Sequence, residues 1–299
     1  MTLALLWIPA TLLAAAAQTA RNAMQRSLTE TLGTVGASQV RFLYGFPFAL
    51  VLLVLVAAAS GWSVPAPNSA FLAFTTAGAI TQILATVLML AAMRERSFAV
   101  TTAYIKTEPV LVAVFGVVVL GDHVTMSGAL AVLVATAGVV LMAVKPGAAA
   151  SLASLRPAGL GIAAGAFFAL SAVAFRGAIL SLPEASFVMR ATTTLAWSLG
   201  IQSAMLLAWL GLFDRQSLVK SFGAWRPSLF AGLMGALASQ FWFIGFSLTS
   251  AANVRTLALV EVVLAQLVSR RLFQQGTSAR ELAGMALIVA GVALLLWSH

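Results

Sequence analysis

The sequence predicts an all-α membrane protein of ten transmembrane helices, built as two five-helix repeats of opposite orientation. Three observations support this prediction: the composition, the spacing of apolar stretches and an internal duplication. The 299 residues are 61% hydrophobic and 8% charged, with a mean hydropathy of +1.02. A soluble domain is about 25% charged, so these charges cannot cover a water-facing surface, and disordered chains are poor in apolar residues.

Ten apolar stretches have about the 20 residues that a helix needs to cross a bilayer. We place these spans at residues 3–24, 38–59, 70–93, 97–119, 124–144, 157–180, 187–213, 226–248, 250–272 and 280–298. The remaining residues form short loops, which leaves no room for a soluble domain. The first stretch lacks a positively charged start and is interpreted as span one, not as a signal peptide.

The boundaries between spans differ in clarity. Gly61–Asn68, with two prolines, interrupts a charge-free run, and Lys145-Pro146-Gly147 opens the longest linker. Only Arg94–Arg96 separates spans three and four, and spans eight and nine meet near Thr249. Because such tight hairpins also fit one broken helix, nine or eleven spans remain alternatives.

The two halves of the chain are similar in sequence. A shift of 153 residues aligns Glu-Pro-Val-Leu at 108–111 with Glu-Val-Val-Leu at 261–264, and Ala-Gly-Val at 137–139 with the same tripeptide at 290–292. Five spans per half is an odd number, so the second half enters the membrane in the opposite sense, as in many secondary transporters. We therefore predict a first repeat over 1–145, a linker over 146–156 and a second repeat over 157–299.

The basic residues favour one side of the membrane. Thirteen of the 17 Lys and Arg residues fall at one face, and the positive-inside rule places that face in the cytoplasm. With ten spans, both termini would lie outside the cytoplasm. We expect a multi-pass protein of the inner (plasma) membrane whose basic face contacts lipid headgroups.

Four ionisable residues lie deep inside predicted spans: Lys106, Glu108, Arg255 and Glu261. A charge at this depth costs several kcal/mol, so each is a functional candidate by default. The duplication places Glu108 and Glu261 at matching depths, and Pro109 predicts a kink beside Glu108. Two interpretations remain open: the four residues line a cavity, or each glutamate pairs with a base from a neighbouring helix and only stabilises the bundle.

Uncharged polar and aromatic residues within the spans form a second set of candidates. They are Gln18, Asn22, Gln82, Tyr104, Ser171, Gln240 and Trp242. Buried amides need partners, so each faces protein or a cavity, and a simple interhelical hydrogen bond is the alternative for each. Tyr104 shares a helical face with Glu108, and Trp242 is the tryptophan most suited to stack on a substrate.

Four arginines occupy predicted helix ends. Arg21 corresponds to Arg176 in the second half, and Arg41 corresponds to Arg190. Long basic side chains at such positions extend to the headgroups. We expect them to act as membrane anchors, with gate ion pairs as the alternative.

The composition argues against several other functions. The chain has no cysteine and only two histidines, His123 and His299. No metal-binding His-Glu-x-x-His pair and no intramembrane catalytic constellation is present, so neither an enzyme nor a metal or cofactor site is expected. We also see no basic, aromatic-rich element for nucleic acid and no repeated polar element for a channel filter.

These residues resemble the EamA-type branch of the drug/metabolite transporter superfamily over nearly the whole chain. The similarity lies in Glu108-Pro109, Leu120-Gly121-Asp122, Gly138-Val139 and the arginine at the start of helix two, Arg41. The second copy departs from this pattern, with Val262 for the proline and Gln274-Gln275 for the Gly-acid pair. Gln18 also stands where the small four-helix multidrug members carry a membrane-embedded glutamate.

The resemblance implies a ten-helix basket around a central cavity, alternating access and, in bacteria, export of amino acids and related metabolites. It also implies cytoplasmic termini, whereas the charge count places them outside. Branches that carry phosphates would need a central basic cluster. Two deep bases opposed by two glutamates suit a zwitterion better, so we predict export of neutral or aromatic amino acids or similar small metabolites. A proton-coupled exporter of lipophilic cations and a non-transporting structural membrane protein are the alternatives, and a monomer is compatible with the sequence.

Overall fold

The computed structural model describes residues 5–61, 63–95, 101, 104–143, 155–182, 185–263 and 278–297. Within these residues all regular elements are helical, and there is no strand. The helices are α1 (Trp7–Leu43), α2 (Gly45–Ser60), α3 (Ser69–Glu95), α4 (Glu108–Phe115), α5 (Met126–Ala143), α6 (Leu155–Ser181), α7 (Phe187–Phe213), α8 (Arg215–Gly223), α9 (Trp225–Leu248), α10 (Ala251–Leu257) and α11 (Ala279–Trp297). A π-helical segment, Gly116–Leu120, continues α4.

The length and apolar character of these helices account for the predicted spans. In the described part of the chain, six helical stretches are long and apolar enough to cross a membrane, and the first, Trp7–Ser60, holds spans one and two. Two shorter apolar stretches, Glu108–Leu120 and Met126–Met142, correspond to spans four and five. Span nine begins with α10, and its part beyond Val263 lies outside the described residues. The fold is therefore the all-α, multi-span architecture that the sequence predicts.

The helix that holds span one extends beyond the end expected for that span near residue 24. Helix α1 continues through the predicted loop to Leu43, because residues 24–32 contain neither glycine nor proline. It bends at Gly33, whose φ of 69° lies in the left-handed region that glycine adopts without strain. The segment between spans seven and eight also contains a helix, α8, whose first turn is capped by the Asp214 carboxylate.

The helices of the two halves pack against one another in symmetric pairs. The most extensive contacts join α1 to α9, α3 to α6 and α5 to α11. Exchanging the halves converts the first pair into the second and the third into itself, as a two-fold repeat requires. The precise division at 146–156 involves residues outside the described ranges and stays a prediction.

Glycines bring the last helices of the two halves into close contact. A Cβ atom on Gly138 of α5 would lie 2.5 Å from the carbonyl oxygen of Gly284 in α11. A Cβ atom on Gly291 would lie 2.6 Å from the backbone nitrogen of Ala135. Small residues allow backbones to approach in this way where apolar lipid gives helices no hydrophobic reason to associate.

Candidate functional site

Spans four and nine are both interrupted immediately before their glutamates. A turn at Lys106 and Thr107 separates the helical residues Tyr104 and Ile105 from α4, which begins at Glu108. This confirms the kink predicted beside Pro109. Transporters commonly place their binding sites at such discontinuous helices, since the unwound backbone exposes polar groups there.

The interruption in span nine was not expected, because no glycine or proline lies near it. Helix α10 ends at Leu257, a turn covers residues 258–259, and the helix resumes at Val260. The turn is tightened by hydrogen bonds between residues three apart, from the Leu259 N–H to the Thr256 carbonyl (3.1 Å) and from the Glu261 N–H to the Ala258 carbonyl (3.1 Å). Such 3₁₀-type bonds within a longer helix often mark a hinge.

The four ionisable residues predicted at mid-depth lie together as two ion pairs that cross between the halves. Arg255 Nε lies 3.0 Å from Glu108 Oε1, and the two side chains are 7% and 6% exposed. Lys106 Nζ forms the other pair with Glu261 Oε1. Each glutamate therefore contacts the base of the opposite repeat, and spans four and nine are joined by both pairs. We call these four residues the crossed ion pairs.

Trp242 and Gln18 adjoin the crossed ion pairs. The Arg255 guanidinium carbon lies 4.3 Å from the centroid of the Trp242 ring and 5.6 Å from that of Phe246, within cation–π range. The Trp242 indole donates a hydrogen bond to Gln18 Oε1 at 3.1 Å. Buried Trp242 therefore connects span one, through Gln18, to the charged cluster.

Two other predicted residues form hydrogen bonds between helices. Gln82 of α3 accepts a hydrogen bond from Gln202 of α7 at 2.9 Å, and Gln240 of α9 donates to Thr192 of α7 at 2.8 Å. For both residues, the structure shows the interhelical hydrogen bond that was the alternative to lining a cavity. They hold α7 against both α3 and α9.

The remaining predicted residues have local partners. Ser171 donates to the Phe168 carbonyl of its own helix at 2.8 Å. Tyr104 packs against Gly161 of α6, where an added Cβ atom would lie 2.7 Å from the tyrosine Cβ. The helical face that Tyr104 was expected to share with Glu108 is interrupted by the turn at 106–107.

The prediction that Arg21 and Arg41 are membrane anchors is wrong. Arg21 is 1% exposed and Arg41 is 2% exposed, so neither side chain reaches the headgroups. Arg21 donates to the predicted site residue Asn22, with Nη2 and Nε at 2.7 and 3.2 Å from Oδ1. Arg41 Nη1 donates to Thr86 of α3 at 3.1 Å. Both side chains pack against α9, where a Cβ atom on Gly235 would contact each of them.

Arg176 fits the gate interpretation. Its Nη2 lies 3.2 Å from Asp122 Oδ1, in the loop after span four. Its Nη1 donates to the carbonyls of Phe246 (2.7 Å) and Thr249 (2.5 Å), at the carboxyl end of α9. Arg176 therefore joins α6, the loop after span four and the α9–α10 turn at one end of the bundle. A small cavity of about 110 Å³ beside this junction is lined by His123, Val124, Thr125, Gly128, Val132, Ser250, Ala252 and Asn253.

A larger cavity of about 510 Å³ lies away from the charged cluster. It is lined by Val110, Leu133, Thr136, Ala137, Val140, Leu141 and Arg280, which places it between span four, α5 and α11. None of the predicted site residues lines it. Across the described ranges, no three His, Asp or Glu side chains are grouped so as to hold a metal ion.

Comparison with known proteins identifies the family. The model of the EamA-like transporter family matches the chain twice, over residues 4–144 and 156–297. No curated protein matches the chain. A solved structure titled only as the crystal structure of a protein aligns with 100% of this chain and 99% of its own, at a TM-score of 0.70 and 17% identity. That likeness is evidence of fold alone.

The two family matches cover nearly the whole chain, in agreement with the resemblance seen in the sequence. The family is one of transporters and not of enzymes, and its members move small molecules across membranes. The chain thus belongs to the EamA-like transporter family of the drug/metabolite transporter superfamily and is a multi-pass membrane protein that transports small molecules.

Proposed function

We propose that the protein exports amino acids or similar small zwitterionic metabolites across the inner membrane, and that the crossed ion pairs are its substrate site. The observation that carries this proposal is the position of these pairs. They stand at the interruptions of two symmetry-related helices, and each pair joins the two repeats. A substrate whose charges replace the contacts within these pairs therefore binds between the two halves, where they move relative to each other.

A zwitterion that separates the two members of an ion pair supplies a new counter-charge to each of them. When the Arg255–Glu108 pair opens, a substrate carboxylate takes the guanidinium and a substrate ammonium takes the Glu108 carboxylate. The Lys106–Glu261 pair offers the same exchange. A ligand with one charge leaves a buried partner uncompensated, which costs several kcal/mol. The site therefore selects ligands that carry both charges.

Trp242 favours apolar or aromatic side chains. In the closed cluster its ring is covered by Arg255. When Arg255 turns to the substrate carboxylate, that ring face becomes free to stack on the substrate side chain. Gln18, which accepts the indole N–H, fixes the orientation of the ring.

Alternating access then requires one end of the bundle to stay closed while the other opens. The Arg176 junction seals the end formed by the loop after span four and the α9–α10 turn. The positive-inside count places this end outside the cytoplasm, together with both termini. Export proceeds by loading from the cytoplasmic side, closure there, and opening of the Arg176 junction.

Counterflow in proteoliposomes tests the proposed substrate. Vesicles are loaded with unlabelled amino acids, and uptake of single labelled amino acids is followed with and without a pH gradient. We expect saturable uptake without a gradient. If lipophilic cations move instead, and only under a pH gradient, the protein is a proton-coupled drug exporter. If nothing moves, a structural role replaces transport.

Charge-neutralising variants test the proposed site. We expect Glu108→Gln and Glu261→Gln to lose at least ten-fold in counterflow rate while remaining folded. Glu95→Gln is the matched control, because Glu95 forms an exposed ion pair with Arg156 (3.3 Å) away from the cluster. Normal transport by both folded variants would show that the crossed ion pairs do not bind substrate.

A further inference from the structure

Two buried arginines of α1, Arg21 and Arg41, form no ion pair with the acidic residues that the structure describes. Of the carboxylates in the described residues, none lies within 4.0 Å of the Arg21 or Arg41 guanidinium. Each arginine has one hydrogen-bonding side chain as partner, Asn22 or Thr86. Arg21 Nη1 and Arg41 Nε are buried without a hydrogen-bond partner. An arginine without a counter-charge is costly at this depth, so its retention calls for an anion.

The two arginines lie side by side against a glycine of α9. A Cβ atom on Gly235 would stand 3.2 Å from Arg41 Cγ and 3.3 Å from Arg21 Cδ. Their guanidinium groups interact electrostatically with Arg255, Arg41 also interacts with Arg21, and Glu261 is the acid whose charge reaches Arg21. The arginines therefore form one positive region that borders the crossed ion pairs.

The balance of buried charge favours an anion in this region. The crossed ion pairs are neutral as a set, with two bases and two acids. Arg21 and Arg41 add two positive charges, and none of the described acids lies within ion-pair distance of either. At the position that corresponds to Asp122, the second half carries Gln275, so the sequence offers Arg21 no acid like the one that its counterpart Arg176 contacts.

We infer that Arg21 and Arg41 form a binding site for a small anion, with a carboxylate or a similar oxyanion bridging the two guanidinium groups. Planar guanidinium groups bind such oxygens through paired N–H donors. The free donors Arg21 Nη1 and Arg41 Nε are closed off in this conformation, so the anion enters when α1 and α9 separate. This inference does not rest on the amino-acid proposal, since either a substrate carboxylate or a free inorganic anion supplies the same chemistry.

Thermal unfolding of the purified full-length protein in detergent tests the site. The protein is held in a zwitterionic buffer, and acetate, inorganic phosphate and chloride are titrated separately against a bulky sulfonate salt of equal ionic strength. We expect at least one anion to raise the unfolding midpoint saturably. Arg21→Gln and Arg41→Gln should each weaken its apparent affinity at least ten-fold. Arg226→Gln, at an exposed arginine, should leave the affinity unchanged.

A charge-preserving variant keeps the test valid if the glutamine variants fail to fold. Gly235→Ala places a methyl group against both arginine stems and should weaken anion binding. Gly211→Ala, where an added Cβ meets nothing within 4 Å, is the matched control.

Stabilisation by acetate and amino acids alone assigns the anion as a substrate carboxylate, and stabilisation by phosphate or chloride assigns a free ion. The inference is overturned if no anion stabilises the protein saturably, or if Gly235→Ala binds the anion as the unmodified protein does. Counterflow is measured separately, so loss of this site and failure of the proposed transport are distinguishable.

Discussion

Neutralising one member of a crossed ion pair should lower the free energy of unfolding far more than neutralising both members. Arg255 Nε and Glu108 Oε1 are 3.0 Å apart, and both side chains are buried. At an effective dielectric constant of about 20, this distance corresponds to an attraction of about 5 to 6 kcal/mol. Desolvation of both groups opposes that attraction, so the pair adds little net stability.

A double-mutant cycle separates these two terms. Glu108→Gln leaves Arg255 without a counter-charge and should cost about 3 to 5 kcal/mol. Arg255→Gln leaves Glu108 uncompensated, although the carboxylate can neutralise by taking up a proton, so a smaller loss is expected. The double variant has no buried charge at this pair and should recover most of the stability lost in Glu108→Gln.

Equilibrium unfolding in mixed detergent micelles provides the free energies. The exposed Glu95–Arg156 pair is the control, and neutralising Glu95 should change stability by less than about 1 kcal/mol. If the two single-variant losses add to within about 0.5 kcal/mol in the double variant, the residues are energetically independent. That result would refute the reasoning, because it would mean that the pair is not coupled in the folded protein.

Three further outcomes are expected. Gly138→Ala should lower the free energy of unfolding by about 1 to 3 kcal/mol in the same unfolding assay, since its methyl group has no space between α5 and α11. Gly211→Ala, whose methyl group lies in open space, should leave that free energy unchanged, and equal losses in the two variants would contradict the close packing of α5 and α11. Asp122→Asn should weaken the closure at Arg176 and increase the rate at which a water-soluble alkylating reagent labels a cysteine introduced in the adjoining loop. An unchanged labelling rate would argue against a gate at Arg176. Hydrogen bonds from the following turn lower the pKa of Asp214, so its stabilising effect is present at neutral pH and is lost as pH falls through that lowered pKa. Asp214→Asn should unfold with a weaker dependence on acidic pH, and an unchanged profile would contradict the cap.

The sequence predicts the fold well because span-forming stretches are defined by composition alone. The limits of individual helices are less predictable. A rule that requires about 20 apolar residues per span ends span one where the apolar residues become sparse, although the helix continues. In the structure, other helices of the protein bury many residues in the later turns of α1. Gln25 and Thr29 lie four and eight residues after Arg21, and both are buried. This polar stripe with helical spacing was the signal that α1 continues.

The charged cluster was predictable, whereas its pairing was not. Charges within apolar spans mark Lys106, Glu108, Arg255 and Glu261 individually. Their crosswise partners depend on how spans four and nine face each other, which is a tertiary property. The interruption before Glu108 was foreseen because proline removes a backbone donor. The one before Glu261 has neither glycine nor proline beside it, so the sequence does not predict it.

Competition by charge-deficient analogues tests the central claim, that a zwitterion replaces the crossed ion pairs, most directly. Counterflow of a transported amino acid is measured against the same amino acid, its methyl ester and its deaminated analogue. The ester lacks the carboxylate, and the deaminated analogue lacks the ammonium group. We predict that the free amino acid competes at least ten-fold more strongly than either analogue. Equal competition by all three would contradict recognition of both charges, and with it the assignment of the crossed ion pairs as the substrate site.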